Sequence, residues 1–218
     1  MNKKRLISFS VWGSDPRYLD GLFKNRELAD KFYPGWTVRA YYQEDMPGDF
    51  VGEMEKAGIE VMSKPFYRDP WIGLFWRFCP MFDDDGLERF IVRDTDARLS
   101  EREADAVQEW IESDYGFHLM RDHPAHNIQI CGGMWGARAG LIRNFREMME
   151  AWMKTVSGNT SNPRTRFHGV DQDFLCQKIW PLIKNDHLAH IAAHDSLKFT
   201  GKERGFRITN PCGYRVGT

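Results

Sequence analysis

Asp94 and Asp96, in the segment ERFIVRDTDARLS (residues 88–100), are the residues of this chain most clearly spaced for chemistry. They follow a short apolar run, Phe90, Ile91 and Val92. If that strand runs on through them, its period of two sets both carboxylates on one face. Two hard oxygen ligands at a sheet's edge suit a divalent cation that also holds a diphosphate. An acidic pair alone is a weak motif, and the chain carries its own comparison. Asp83 and Asp85 sit in FDDDG beside a glycine and read as a solvated turn. Asp94 and Asp96 instead lie between a buried strand and a capped helix, and in open α/β sheets ligands gather at the carboxyl ends of strands. The competing reading is a capping or salt-bridge role, with Arg93 or Arg98 balancing the charge.

The elements that must position this pair alternate along the chain. Strands are expected at residues 6–11, 36–42 and 59–62, along the run Phe90–Val92 that carries Asp94, and at 116–120, 128–135 and 188–192, the last closing the fold. Helices are expected at 17–32, 50–57, 71–82, 141–156 and 171–180, with Met148, Met149 and Met153 as core packing. A further helix follows Ser100, which forms a capping box with Glu103. The polar stretch 157–169 is the one long loop. This alternation predicts an α/β/α sandwich around a mixed, largely parallel sheet, in a single domain spanning residues 1–218. GYRVGT ends without a terminal element, as a domain cut from a longer protein would.

Bulk properties exclude other classes. With 218 residues and a net charge of −1, the whole chain offers no electrostatic case for nucleic acid or membrane. No apolar run approaches the roughly 20 residues a transmembrane helix needs. The start, MNKKRLISFSVWG, reads as a strand rather than a signal peptide. Cys79, Cys131, Cys176 and Cys212 show no paired spacing, so reduced thiols are expected and zinc is not. The sequon at Asn159 reads as accidental without secretion.

Several segments together carry a resemblance. SVWGSDPRY, NRELADKFYPGW, LFWRF, RDTDARLSERE, HLMRDHPAHNIQICGGMWGAR and GVDQDFL resemble the pattern of a nucleotide-sugar-dependent glycosyltransferase of the GT-A (Rossmann-like) fold. The chain is similar to a group of small bacterial and large-DNA-virus enzymes, including the N-terminal domain of a chlorovirus multidomain protein.

The resemblance implies that Asp94 faces the ribose and metal, and that Asp96 ligates Mn²⁺ or Mg²⁺. It makes His194 the third ligand, with His190 as runner-up, and lets Lys198 reach a phosphate. Ser10, Val11, Trp12 and Gly13 would hold base and ribose; the bland alternative is a turn with Trp12 in the core. Arg77 would approach the diphosphate, or form a surface salt bridge. Gly132 and Gly133, in GGMWG, would let the backbone pass close to the donor sugar. Arg121 and Asp122 would contact sugar hydroxyls, while His123 and His126 are exposed loop residues. Asp171, ahead of Asp173, would lie near the reacting carbon, although acidic residues also favour a helix start for capping reasons alone. Arg164 and Arg166 would belong to a lid or acceptor loop.

The implied activity moves a sugar, from a UDP-sugar by preference, to a glycan hydroxyl, with retention favoured and a cytoplasmic setting. Two other classes stay open. A sugar nucleotidyltransferase would want a glycine-rich basic loop after the first strand, where SVWGSDPR has one glycine. A non-catalytic carbohydrate- or nucleotide-binding domain would have no need of both Asp94 and Asp96.

Overall fold

The computed structural model describes residues 4–83, 86–122, 126, 128–157, 169–192 and 206–209. Strand β1, Lys4–Val11, is buried from Leu6 onward. A strand buried on both faces belongs inside a sheet covered on both sides. It lies between β2 (Thr37–Gln43) and β4 (Leu87–Arg93), parallel to both, and β3 (Glu60–Lys64) extends the sheet beyond β2. On the other side come β6 (Met134–Arg138), β5 (Phe117–Arg121), β7 (His187–Ala192) and β8 (Phe206–Thr209). The full order is β3-β2-β1-β4-β6-β5-β7-β8, and β6 runs against its neighbours. The fold is therefore α/β with a mixed, mostly parallel sheet. Successive strands leave β1 in one direction, while β4 joins on the other side. The carboxyl ends of β1 and β4 thus flank a topological switch point, where open α/β sheets bind ligands.

Alternation along β1 and β4 feeds two cores. Leu6, Phe90 and Val92 join an aromatic cluster with Phe75, Phe78, Trp135, Phe145 and Phe174. Ile7, Phe9 and Ile91 join Leu22, Ala29, Val38 and Trp110 in the other. Each fully buried large apolar side chain stabilises the fold by about 1.5–3 kcal/mol. Helix α1 (Pro16–Phe32) supplies Leu22 and Ala29; its N-cap, Asp15, accepts from the Arg17 N–H. Helix α2 is Gly48–Lys56, and α4 (Glu101–Glu112) starts at Ser100, whose hydroxyl accepts from the Glu103 N–H at 3.3 Å.

Five elements differ from expectation. The helix expected at 71–82 breaks into a 3₁₀ turn (Pro70–Ile72), α3 (Gly73–Trp76) and a second 3₁₀ turn (Cys79–Met81). Pro80 has no N–H and its ring would clash with the carbonyl four residues back, so the helix cannot run through it. Residues 128–133 form turns, and strand β6 starts only at Met134. Helix α5 is Phe145–Ser157, leaving Leu141 46% exposed outside the packed stripe. The helix expected at 171–180 runs as α6 (Val170–Phe174), a π turn (Leu175–Ile179) and α7 (Trp180–Ile183), where Pro181 again lacks a donor. Strand β8 follows the strand expected to be last. Asp83 is not a solvated turn residue: it is largely buried and pairs with Lys64 at 3.6 Å and Arg146 at 3.4 Å.

Cys79, Cys131 and Cys176 are free thiols. Among the described residues no helix is long and apolar enough to cross a membrane.

Between the sheet and α4, His118 is wholly buried, stacked on Trp110, with Nε2 3.0 Å from His190 Nδ1. His190 Nε2 lies 2.8 Å from Glu109, and His118 Nδ1 has no hydrogen-bond partner among the described residues. Burial holds the His118 pKa well below the ordinary histidine value, and the charges of His190 and Arg93 push the same way. The unfolded chain therefore takes up this proton first as pH falls. The stabilisation is complete above the unfolded pKa of about 6.5 and drains away below it, by up to about 1.4 kcal/mol per pH unit for one proton. Urea denaturation from pH 8 to pH 5 will show that loss beginning near 6.5, and the His118 ring will not titrate by NMR while the protein stays folded.

Candidate active site

At the switch point the carboxyl ends of β1 and β4 open into a cavity of about 620 Å³. Of the residues singled out from sequence, it brings together Ser10, Val11, Trp12, Gly13, Arg77, Asp94, Asp96, Gly132, Gly133 and Asp171. Asp85, His123, Asn159, Arg164, Arg166, His194, Lys198 and Cys212 lie outside the described residues.

The acidic pair reaches the cavity by a route other than strand alternation. Strand β4 ends at Arg93, and Asp94 to Ala97 form a turn closed by the Ala97 N–H on the Asp94 carbonyl at 3.2 Å. Thr95 is buried, Asp94 half-buried and Asp96 exposed. Neither flanking arginine balances the pair. Arg93 is buried against Glu103 at 3.5 Å and donates to the Val92 carbonyl, while Arg98 donates to the carbonyls of Thr95 and Ala97.

The balancing cation is Arg77. Its guanidinium binds Asp94 through Nη1 and Asp171 through Nη2, the latter at 2.7 Å. Its backbone is gripped by β1: the Arg77 N–H donates to Ser10 Oγ and the Ser8 hydroxyl donates to the Arg77 carbonyl, both at 2.8 Å. Ser10 is thus a scaffold for Arg77 as well as a cavity residue. Burial works against the Arg77 charge, but Asp94 and Asp171 more than offset it and raise its pKa. Burial pushes the Asp171 carboxyl above the usual carboxylate range; Arg77 pulls it back and the charge of Asp94 adds to the rise.

Gly132 and Gly133 serve this cluster. A Cβ on Gly133 would collide with the Asp94 carboxylate, and one on Gly132 with that of Asp171. The loop therefore presses its bare backbone against both acids. Gly73 plays the same part for Trp12, whose ring lies where a Cβ would go.

Four expectations are corrected. Arg121 is buried with its guanidinium on the carbonyls of Ile128 and Gln129, clamping the loop rather than facing the cavity. Asp122 pairs with Arg102 at 2.9 Å, away from the cavity lining. Asp173 is exposed and does not line the cavity. His190 has one ring nitrogen on His118 and the other on Glu109, which leaves neither for a metal. Residues not singled out as ligands also line the cavity: Asp15, Tyr18, Trp71 and Leu74. Helix capping hides the first, and hydrophobic spacing hides the last two.

Among the described residues the lining holds four carboxylates, of Asp15, Asp94, Asp96 and Asp171, against one guanidinium. Such a cavity repels a diphosphate unless a cation joins it. Among the described residues no group of three or more His, Cys, Asp or Glu could hold a metal. Mn²⁺ or Mg²⁺ bound with a substrate's phosphates asks for only one or two carboxylates, and Asp94 with Asp96 fits that demand.

No protein-family model matches this chain, and no curated protein matches its sequence. Solved structures do match its fold. The glycosyltransferase GlyE of Streptococcus pneumoniae TIGR4 superposes with a TM-score of 0.51 at 12% identity, over 86% of this chain and 45% of that one. Its apo form gives 0.52 over the same shares. A 4-diphosphocytidyl-2C-methyl-D-erythritol synthase from Anaerococcus prevotii DSM 20548 gives 0.52 at 11% identity, over 92% of each chain. The fold is thus one that a glycosyltransferase and a diphosphocytidyl synthase share, and this chain spans under half of the glycosyltransferase's length.

Removing Arg77 leaves Asp171 buried without its counter-charge. Arg77→Met should lower stability by about 3–5 kcal/mol, the usual cost of breaking a buried ion pair. Adding Asp171→Asn should recover part of it, as read from urea midpoints in a double-mutant cycle. Additive losses would show that the two side chains are not coupled.

Proposed function

We propose that this chain is a glycosyltransferase that moves a sugar from a nucleoside diphosphate sugar, a UDP-sugar by preference, to a hydroxyl of a glycan acceptor, with Mn²⁺ or Mg²⁺ at Asp94 and Asp96. The observation that carries this reading is the acid-lined, aromatic-walled cavity at the sheet's switch point. When bound, the cation would neutralise the diphosphate and stabilise the charge that grows on it as the glycosidic bond breaks. His194 and Lys198 remain the proposed further contacts to metal and phosphate.

The chain's own residues supply the rest. Trp12 and Tyr18 offer flat apolar surface for base and ribose, and Trp71 closes the wall. Gly13, with φ at +73°, turns the backbone sharply after β1, where a side chain would be strained. Arg77 holds Asp94 and Asp171 at a set separation, so the donor's two ends meet carboxylates that do not need to reorganise. Asp171, buried and with an elevated pKa, faces the reacting sugar. In a retaining course, the one proposed here, it stabilises the oxocarbenium-like centre; in an inverting one it takes the acceptor's proton. The proposed setting is the cytoplasm, and the proposed acceptor a surface or capsid glycan.

A second reading, a sugar nucleotidyltransferase, draws on the synthase that matches over 92% of both chains. Against it, Asp15 caps α1 where a phosphate-cradling loop would sit, and Arg17 is engaged with Asp15.

Calorimetry with UDP, GDP and CTP, with and without Mn²⁺, tests the proposal. UDP binding that needs Mn²⁺, and is abolished in Asp94→Ala/Asp96→Ala, is the expected result. CTP binding without UDP binding would favour the second reading, and silence towards all three would mean a non-catalytic module. Asp171→Asn should keep UDP binding and lose transfer.

A further inference from the structure

We infer that Gly21 and Asn25 of α1 form a seat for the acidic turn, and that Asn25 is a positioning residue for the cation and diphosphate proposed at Asp94 and Asp96, an inference that rests on that reading. Both are poor helix formers, yet they occupy the interior of a 17-residue helix; glycine alone costs about 1 kcal/mol there relative to alanine. They are four residues apart, hence on one face. That face meets the 95–99 backbone.

Asn25 is 1% exposed and uses its amide fully on this turn. Its Nδ2 donates to the carbonyl of Ala97 at 2.9 Å and of Thr95 at 3.2 Å, and its Oδ1 accepts the Leu99 N–H at 3.0 Å. The two carbonyls belong to the residues on either side of Asp96. One turn earlier, a Cβ on Gly21 would overlap the Thr95 carbonyl. Gly21 thus lets α1 approach, and Asn25 takes hold.

The consequence falls on Asp96. Asp94 is held by Arg77, whereas Asp96 makes no hydrogen bond or ion pair among the described residues. Asp96 lies close enough to Arg17 to help raise the Arg17 pKa, so the turn backbone is the main anchor these residues give it. A side chain that fixes both neighbouring carbonyls fixes that backbone. Residues that orient a metal's ligands without touching the metal typically account for 10–100-fold in affinity.

The test compares Asn25→Asp, Asn25→Ala and Gly21→Ala with the parent, and with Val38→Ala on β2 as a core-destabilised control. Mn²⁺ affinity in the presence of UDP is read by electron paramagnetic resonance, and the Leu99 amide by hydrogen exchange. Asn25→Asp keeps the acceptor for Leu99 but sets a carboxylate oxygen against two carbonyls. It should retain Leu99 protection and bind Mn²⁺ about 10–100-fold more weakly. Asn25→Ala should lose both, while Val38→Ala should melt earlier yet bind as the parent does. Gly21→Ala should weaken Mn²⁺ binding by displacing the turn, and it carries the test should the Asn25 variants not fold. Folded variants at Asn25 or Gly21 with the parent's affinity would overturn the inference and leave the proposed function standing. A parent that takes up no Mn²⁺ with UDP would overturn both.

Discussion

Arg77 is the interaction on which the cavity depends. Asp94 follows β4 and Asp171 lies in the first turn of α6, and both line a space that also holds Asp15 and Asp96. Bringing carboxylates together, with Asp171 buried among them, is unfavourable unless a counter-charge is built in with them. Arg77 provides it, and its own place is set by two serines of β1 that take hold of its backbone from below. The acids, the arginine and the first strand are therefore one unit. The glycine pair 132–133 completes it by offering backbone where any side chain would displace a carboxylate.

The sheet makes this unit possible by bringing distant segments to one edge. Strand β1 delivers Ser8, Ser10 and the Trp12–Gly13 turn, and β4 delivers Asp94. The loop before β6 brings the glycines, and the helix that follows Gly169 brings Asp171. Beneath the acidic turn, Arg93 turns inward to Glu103 of α4, so charges that adjoin in sequence serve different purposes. The reserve of negative charge facing the cavity stays unbalanced among the described residues. That imbalance is what supports the proposed cation with its phosphate ligand.

Much of the fold was legible because strands buried on both faces and amphipathic helices announce themselves by period. The two broken helices were not, although Pro80 and Pro181 stood in plain view. Aromatic spacing continues across Pro80 while a regular helix cannot. Pro181 falls just past the expected 171–180 helix, whose interior carries a π turn at Leu175–Ile179. In the site, local motifs were readable: the acidic pair, the glycine pair and the acid opening α6 all reach the cavity. Long-range partners were not. Nothing near Arg121 in sequence says that its guanidinium clamps two carbonyls, or near His190 that His118 and Glu109 occupy both its nitrogens. The same holds for Arg77, whose two carboxylates lie 17 and 94 residues away. The acidic pair itself was located for an incomplete reason, since it occupies a turn rather than a continuing strand.

The central claim is that a cation at the acidic turn lets the chain release a nucleoside diphosphate from its sugar. Incubating the purified protein with a panel of sugar nucleotides, and following nucleoside diphosphate release with Mn²⁺ and with chelator, tests it most directly. The account predicts release from one or a few UDP-sugars that stops when the metal is removed. Equal release in chelator, or none from any donor with metal present, would contradict it.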